Sequence, residues 1–144
     1  MKLAQYRHSP TLCVSRMNFL IVEDNENMRR MIRSIVAELA GETHECTDGS
    51  GALAAYAKHL PDWVLMDLKM TEMDGITATR QIKESYPDAR IMIVSDYDHL
   101  AFRQAASAAG ATEYIIKERL LDLCDILRTL SATDPLSETA ESKI

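Results

Sequence analysis

The chain has 144 residues, 47% hydrophobic and 26% charged, with a formal net charge of −6. That length and balance describe one globular domain able to bury most of its apolar surface. The acidic excess argues against direct nucleic-acid binding by the body, and no apolar run reaches a bilayer-spanning length, so no membrane contact is expected. The basic residues Lys2, Arg7 and Arg16 gather at the start, which leaves the body still more acidic. Cys13, Cys46 and Cys124 are odd in number and lack metal-ligand spacing, as in a reduced, cytoplasmic setting with no disulfide framework. The N-terminus lacks the apolar core of a signal peptide.

Residues 1–16 show no periodicity and read as a flexible N-terminal extension. Met17 stands directly before the first strand, where an alternative start would fall. Asn18-Phe19-Leu20-Ile21-Val22 is a continuous apolar run, the mark of a strand buried on both faces, and it ends on Glu23-Asp24. Asn25 is placed to cap a helix whose apolar residues, Met28, Met31, Ile32, Ile35, Val36 and Leu39, fall at steps of three and four. That helix is expected to stop before Gly41. Residues 42–47 alternate loosely, as an edge strand does. Asp48-Gly49-Ser50-Gly51 is a turn, and residues 52–60 form a second helix ending at Pro61.

The next apolar run, Trp63 to Met66, ends on Asp67, and Asp74-Gly75 opens a helix through about Ser85. Arg90-Ile91-Met92-Ile93-Val94 is a fourth strand ending on Ser95-Asp96. Asp98 is expected to cap an alanine-rich helix that closes at Gly110. Residues 112–116 give a fifth strand ending on Lys117. Leu120, Leu123, Cys124, Leu127 and Leu130 line a last helix. Five βα repeats with short loops call for an α/β fold, a doubly wound parallel sheet with helices on both faces. Residues 17–131 are thus the domain. From residue 131 the composition turns to Ser, Thr, Glu, Asp and Pro, and residues 132–144 read as a disordered tail.

In such sheets ligands sit at the carboxyl ends of the strands. Those ends carry Glu23-Asp24, Asp67, Ser95 and Lys117. Three carboxylates in one crevice repel unless a proton or cation intervenes, and a hard divalent ion with oxygen ligands suits them. A hydroxyl and an ammonium beside them suit a phosphoryl group. The set reads as phosphoryl transfer onto an aspartate.

Glu23-Asp24, Asp67, Ser95 and Lys117, in this order and at these strand ends, resemble the receiver domains of two-component response regulators. The resemblance covers roughly residues 17–131. It implies a flavodoxin-like (βα)5 sheet of order 2-1-3-4-5 and a cytoplasmic location. It also implies Mg²⁺-dependent phosphorylation of Asp67 by a sensor histidine kinase or phosphotransfer protein. By position, Asp24 is a direct Mg²⁺ ligand, Glu23 one through water, and the Lys69 carbonyl another, beside Asp67 itself. Lys117 neutralises a phosphoryl oxygen and Ser95 bonds the group. Tyr114 is the aromatic that changes rotamer as Ser95 moves. The chain departs from the family at Thr71, where proline is usual and whose loss leaves the loop less rigid. It departs at Asp96, where a small residue is usual, and at Glu118 in place of proline, a feature of the NarL/FixJ-like branch.

The resemblance makes the chain a switch for a downstream protein partner, or for homodimerisation, through a surface from Ala101 to about Leu127. It makes it no enzyme beyond its own phosphotransfer and dephosphorylation. Two alternatives stay open: a receiver fold that binds partners without phosphorylation, and an aspartate-nucleophile phosphatase of the haloacid-dehalogenase type. Against the phosphatase stands Lys69, which occupies the place of its second acid. The residues taken singly have plainer readings: Asp24 as a helix cap, Lys117 as a solvated strand-end lysine, Tyr114 and Trp63 as packing residues. His44, His59 and His99 fall on separate elements and suggest no histidine metal site. The short tail after the last helix leaves no room in this chain for a DNA-binding output domain.

Overall fold

The structure, a computed structural model, describes residues 16–132. The N-terminal extension, Cys13 and the C-terminal tail lie outside the described residues. Five parallel strands form one sheet: β1 (Met17–Val22), β2 (Ala40–Cys46), β3 (Trp63–Asp67), β4 (Ile91–Ser95) and β5 (Glu113–Ile116). Their spatial order is 2-1-3-4-5, as the family resemblance implies. The helices are α1 (Glu26–Val36), α2 (Ala52–His59), α3 (Gly75–Ser85), α4 (Leu100–Ala109) and α5 (Leu123–Ala132). Short 3₁₀ turns at Gly49–Gly51 and Lys117–Asp122 precede α2 and α5.

The continuous apolar runs are explained by burial on both faces. Phe19, Ile21, Trp63, Leu65, Met92 and Val94 point to one side, against Ile32 and Val36 of α1 and Leu123 and Leu127 of α5. Leu20, Val22, Val64, Met66, Ile91 and Ile93 point to the other, against Ala52 and Tyr56 of α2, Ala78 and Ile82 of α3 and Ala106 of α4. A strand alternates its side chains between faces, so two covered faces demand an unbroken apolar sequence. Each fully buried side chain of this size contributes about 1.5–3 kcal/mol. The central strands β1, β3 and β4 are thereby the rigid base from which the strand-end residues project.

Local chemistry sets the element ends. Asn25 caps α1 by accepting from the Met28 N–H at 2.8 Å, and Asp74 caps α3 by accepting from the Thr77 N–H at 2.8 Å. Gly110 closes α4 with φ 104°, a conformation glycine adopts without a Cβ penalty.

Two expectations are corrected. Helix α1 ends at Val36, and Gly41 lies inside β2; Leu39 remains buried because the turn after α1 folds it onto the core, whereas Met31 is half exposed. Asp98 does not cap α4, whose N-cap is His99; its carboxylate instead accepts from Arg103 Nε at 2.7 Å. His44 and His59 do lie on separate elements, β2 and α2, and their rings stack with centroids 3.5 Å apart. Cys124 fits the expectation of an inert thiol, since burial, followed by its hydrogen bonding to Glu38, pushes its pKa up to about 11.

Gly75 has a further duty. It starts α3 beside the end of β3, and a Cβ there would collide with the Asp67 carbonyl oxygen, a backbone atom that cannot swing aside. Gly75→Ala is expected to cost about 1–3 kcal/mol as an overpacking substitution. Urea unfolding checks this; a midpoint equal to that of the parent chain would contradict it.

Candidate functional site

Strand register assembles the site. Val22 pairs with Met66, so Glu23 emerges beside Asp67; Asp67 pairs with Val94, so Ser95 follows one step on; Ser95 pairs with Ile116, so Lys117 comes next. The order reverses between β1 and β3, which opens the crevice there. Glu23, Asp24 and Asp67 each offer an oxygen, and the three lie within 4.8 Å of one another. Glu23 and Asp67 are buried, while Asp24 is exposed at the rim.

Lys117 is the cation among them. Its Nζ stands 3.0 Å from Glu23 Oε1, 3.3 Å from Asp67 Oδ1 and 3.8 Å from Asp96 Oδ2. Burial alone would lower the Lys117 pKa, but Glu23, then Asp67 and Asp96, outweigh it and hold the ammonium charged. Asp67 behaves in the opposite sense. Burial first, and the nearby Glu23 second, raise its pKa to about 7, against a smaller lowering by Lys117.

The pocket has further fixings. Asn25 N–H donates to Glu23 Oε2 at 3.1 Å, and Arg29 Nη1 donates to the Glu23 carbonyl at 2.9 Å. Leu68 N–H donates to Asp67 Oδ1 at 2.9 Å. Glu23 Oε1 is fully buried with Lys117 beside it, yet that approach makes no aligned hydrogen bond. An all-oxygen, acidic set of three carboxylates beside a single ammonium fits a hard divalent cation.

The remaining expected residues sit close by. Ser95 is fully buried, and its Oγ accepts from the Tyr97 N–H at 3.0 Å. The Tyr114 hydroxyl donates to the Tyr97 carbonyl at 2.5 Å, so Tyr114 meets the loop after β4 and not the acidic cluster itself. The Lys69 ammonium lies 5.5 Å from the ring centre of Tyr97 and 5.1 Å from that of Phe102. That side chain is drawn to aromatic faces. The Asp96 side chain is 72% exposed and leans towards Lys117.

Sequence reasoning missed three supports: Arg29, the Asn25 N–H, and Thr71, whose Oγ1 donates to Asp24 Oδ2 at 3.2 Å. Arg29 was legible only as a base on the first turns of α1. Thr71 was noticed for the proline it replaces; its hydroxyl, four residues after Asp67, was the available sign.

A doubly wound five-stranded sheet with a carboxylate cluster and a lysine at the switch point is the architecture of a response-regulator receiver domain. The family model of the response regulator receiver domain matches residues 19–128, and the chain belongs to that family. It is 40% identical over 99 residues to the chemotaxis protein CheY of Bacillus subtilis, covering 68% of this chain and 82% of that one. It is 35% identical over 108 residues to the regulatory protein AtoC of Escherichia coli, covering 75% of this chain but only 23% of AtoC. Among solved structures, a chain of the CheX–CheY–BeF₃–Mg²⁺ complex from Borrelia burgdorferi superposes with a TM-score of 0.72 at 27% identity. That match covers 82% of this chain and 89% of that one. Receiver domains interact with histidine kinases or phosphotransfer proteins and bind Mg²⁺ at an acidic pocket of this composition. Among the described residues no helix is long and apolar enough to cross a membrane.

The raised Asp67 pKa carries a stability consequence in the metal-free chain. The folded state holds the Asp67 proton more tightly than the unfolded chain, whose value is near 3.8. The stability from this group is complete below pH 3.8 and is lost as pH rises through about 7. Asn, which stays neutral, is therefore expected to stabilise the metal-free fold above pH 7, by on the order of 1 kcal/mol. The gain should fade towards pH 4. Calorimetric melting of Asp67→Asn in chelator across that range checks this, and a lower midpoint at pH 8 would count against it.

Proposed function

We propose that this chain is a phosphorylation-controlled switch in which Asp67 accepts a phosphoryl group from a phosphohistidine on a partner kinase or phosphotransfer protein. The observation that carries the proposal is the Asp67 carboxylate at the end of the central strand, with Lys117 Nζ at 3.3 Å and two further carboxylates within 4.8 Å. An Asp67 oxygen attacks phosphorus, the phosphorus–nitrogen bond of the donor breaks, and the imidazole leaves. Glu23, Asp24, Asp67 and the Lys69 carbonyl would hold Mg²⁺, which supplies positive charge to the transferring oxygens. Lys117 balances the charge of the new acyl phosphate, and Ser95 donates its hydroxyl to a phosphoryl oxygen. The BeF₃ and Mg²⁺ named for the Borrelia CheY complex support this reading, since a trifluoroberyllate group stands in for phosphoryl.

The same geometry supports a readout. Ser95, Tyr97 and Tyr114 are joined by hydrogen bonds, and Tyr97 and Phe102 meet edge to face at 5.6 Å. Movement of Ser95 towards the phosphoryl group pulls on the loop after β4 and on α4. Helix α4 offers Leu100, 69% exposed, and Leu121 after β5 is 86% exposed, both suited to a protein partner or a second copy. Lys69, occupied with Tyr97 and Phe102, is not placed to protonate a leaving group, which speaks against the phosphatase reading.

Incubation with acetyl phosphate is expected to add one phosphoryl mass to the chain with Mg²⁺, none without it, and none to Asp67→Asn. Intact mass spectrometry reads the outcome. A folded chain that gains no adduct would make this a phosphorylation-independent binding module. Asp96 sits over the same pocket and competes for Lys117, restricting the approach of water. Asp96→Ala is expected to shorten the adduct's half-life several-fold; an unchanged decay would remove Asp96 from this role.

A further inference from the structure

Thr71 stands in the loop between β3 and α3, where the family usually carries proline, and its hydroxyl donates to Asp24 Oδ2 at 3.2 Å. This is the one hydrogen bond recorded for the Asp24 side chain among the described residues, and Asp24 is exposed. An exposed carboxylate on a single-bond stem samples several rotamers, and ordering it for a cation costs entropy. With the Thr71 bond in place, Asp24 already presents an oxygen within 4.8 Å of the Glu23 and Asp67 oxygens. One donated hydrogen bond to Oδ2 leaves the Oδ1 lone pairs free for a cation.

We infer that Thr71 is a positioning residue for the divalent cation: its hydroxyl fixes Asp24 in the ligand-presenting orientation and ties the loop after the phosphoacceptor to the ion. This rests on the proposed Mg²⁺ reading and deepens it. Partners that orient a metal-binding carboxylate commonly matter tenfold or more in affinity. The tie also makes the effect reciprocal. An ion that holds Asp24 holds Thr71, and with it the backbone from Met70 to Met73, so ion binding rigidifies this loop.

The test is calorimetric titration of the full chain with Mg²⁺, for the parent, Thr71→Val, Thr71→Ser and Thr71→Pro. Valine keeps the shape and removes the hydroxyl, and is expected to weaken Mg²⁺ about tenfold. Serine keeps the hydroxyl and is expected to bind within about twofold of the parent. Proline stiffens the loop without a donor and is expected to bind as weakly as valine. Hydrogen exchange at residues 70–73 gives a second readout: Mg²⁺ slows it in the parent and the serine variant, and much less in the valine variant. Thermal melting in chelator confirms that each variant is folded. Equal affinity in parent and valine variant overturns the inference, as does full affinity in the proline variant or loss of affinity in the serine variant. A folded parent that binds no Mg²⁺ overturns the metal reading itself, which separates that failure from a failure of Thr71 alone.

Discussion

Three carboxylates and one ammonium at the carboxyl end of a buried sheet are the constraint around which this domain is built. At an effective dielectric of about 20, the Lys117–Asp67 approach of 3.3 Å is worth about 5 kcal/mol of attraction, and carboxylates up to 4.8 Å apart repel by roughly 3 kcal/mol or more. One lysine therefore offsets part of the repulsion and leaves the pocket negative. Burial first, and then the Glu23 carboxylate, raise the pKa of Asp67, so that it tends to hold a proton. The structure tolerates this tension because Asp67 and Glu23 extend from β3 and β1, whose residues are almost wholly buried on both faces. A pocket that is under-neutralised at rest has an electrostatic reason to take up a divalent cation, and with it a phosphoryl group.

The same end of the sheet connects to the surface through a short series of contacts. Ser95 is buried in β4, and its hydroxyl oxygen engages the Tyr97 N–H; the Tyr97 carbonyl takes the Tyr114 hydroxyl. Arg103 of α4 lies 4.7 Å from the Tyr114 ring centre and is paired with Asp98. Lys69, in the loop after Asp67, sits over Tyr97 and Phe102. Each contact is individually modest, of the order of a hydrogen bond or a cation–π pair at about 1 kcal/mol. Such a linkage can be rearranged by the new bonds a phosphoryl group would make, whereas contacts through the β3–β4 core could not. The loop and helix beyond Ser95 are soft where the strand-end carboxylates are stiff.

The acceptor site was legible in the sequence for a physical reason. Parallel strands buried on both faces write themselves as unbroken apolar runs, so the residue that ends each run is identified without knowing the register. Glu23, Asp67, Ser95 and Lys117 were found in this way; right-handed crossovers narrowed the topologies, and the sheet order came from the family resemblance. What could not be read was anything set by side chains reaching across elements. Asp98 looked like a helix cap, but Arg103 one turn on competes for it. The apolar spacing carried α1 as far as Leu39, whereas the chain turns after Val36 so that Ala40 can begin β2 beside Met17. Stacking of His44 on His59 joins β2 to α2, a pairing that periodicity has no means to encode.

Thr71 shows how a departure from a family pattern acquires meaning only in three dimensions. Read along the chain, threonine for proline is a loss: the loop after Asp67 gains backbone freedom that proline would have removed. Across the pocket, the same residue supplies a hydroxyl to Asp24. Proline restricts a loop whatever occupies the site, because its effect lies in φ. A hydrogen bond restricts the loop only while its acceptor is held, so loop order and the position of Asp24 become one equilibrium. With the Thr71 bond formed, the loop between β3 and α3 is already tied to Asp24, and a cation that fixed Asp24 would tighten that tie. On the proposed metal reading, the substitution would exchange a constant stiffness for one that a bound cation adjusts.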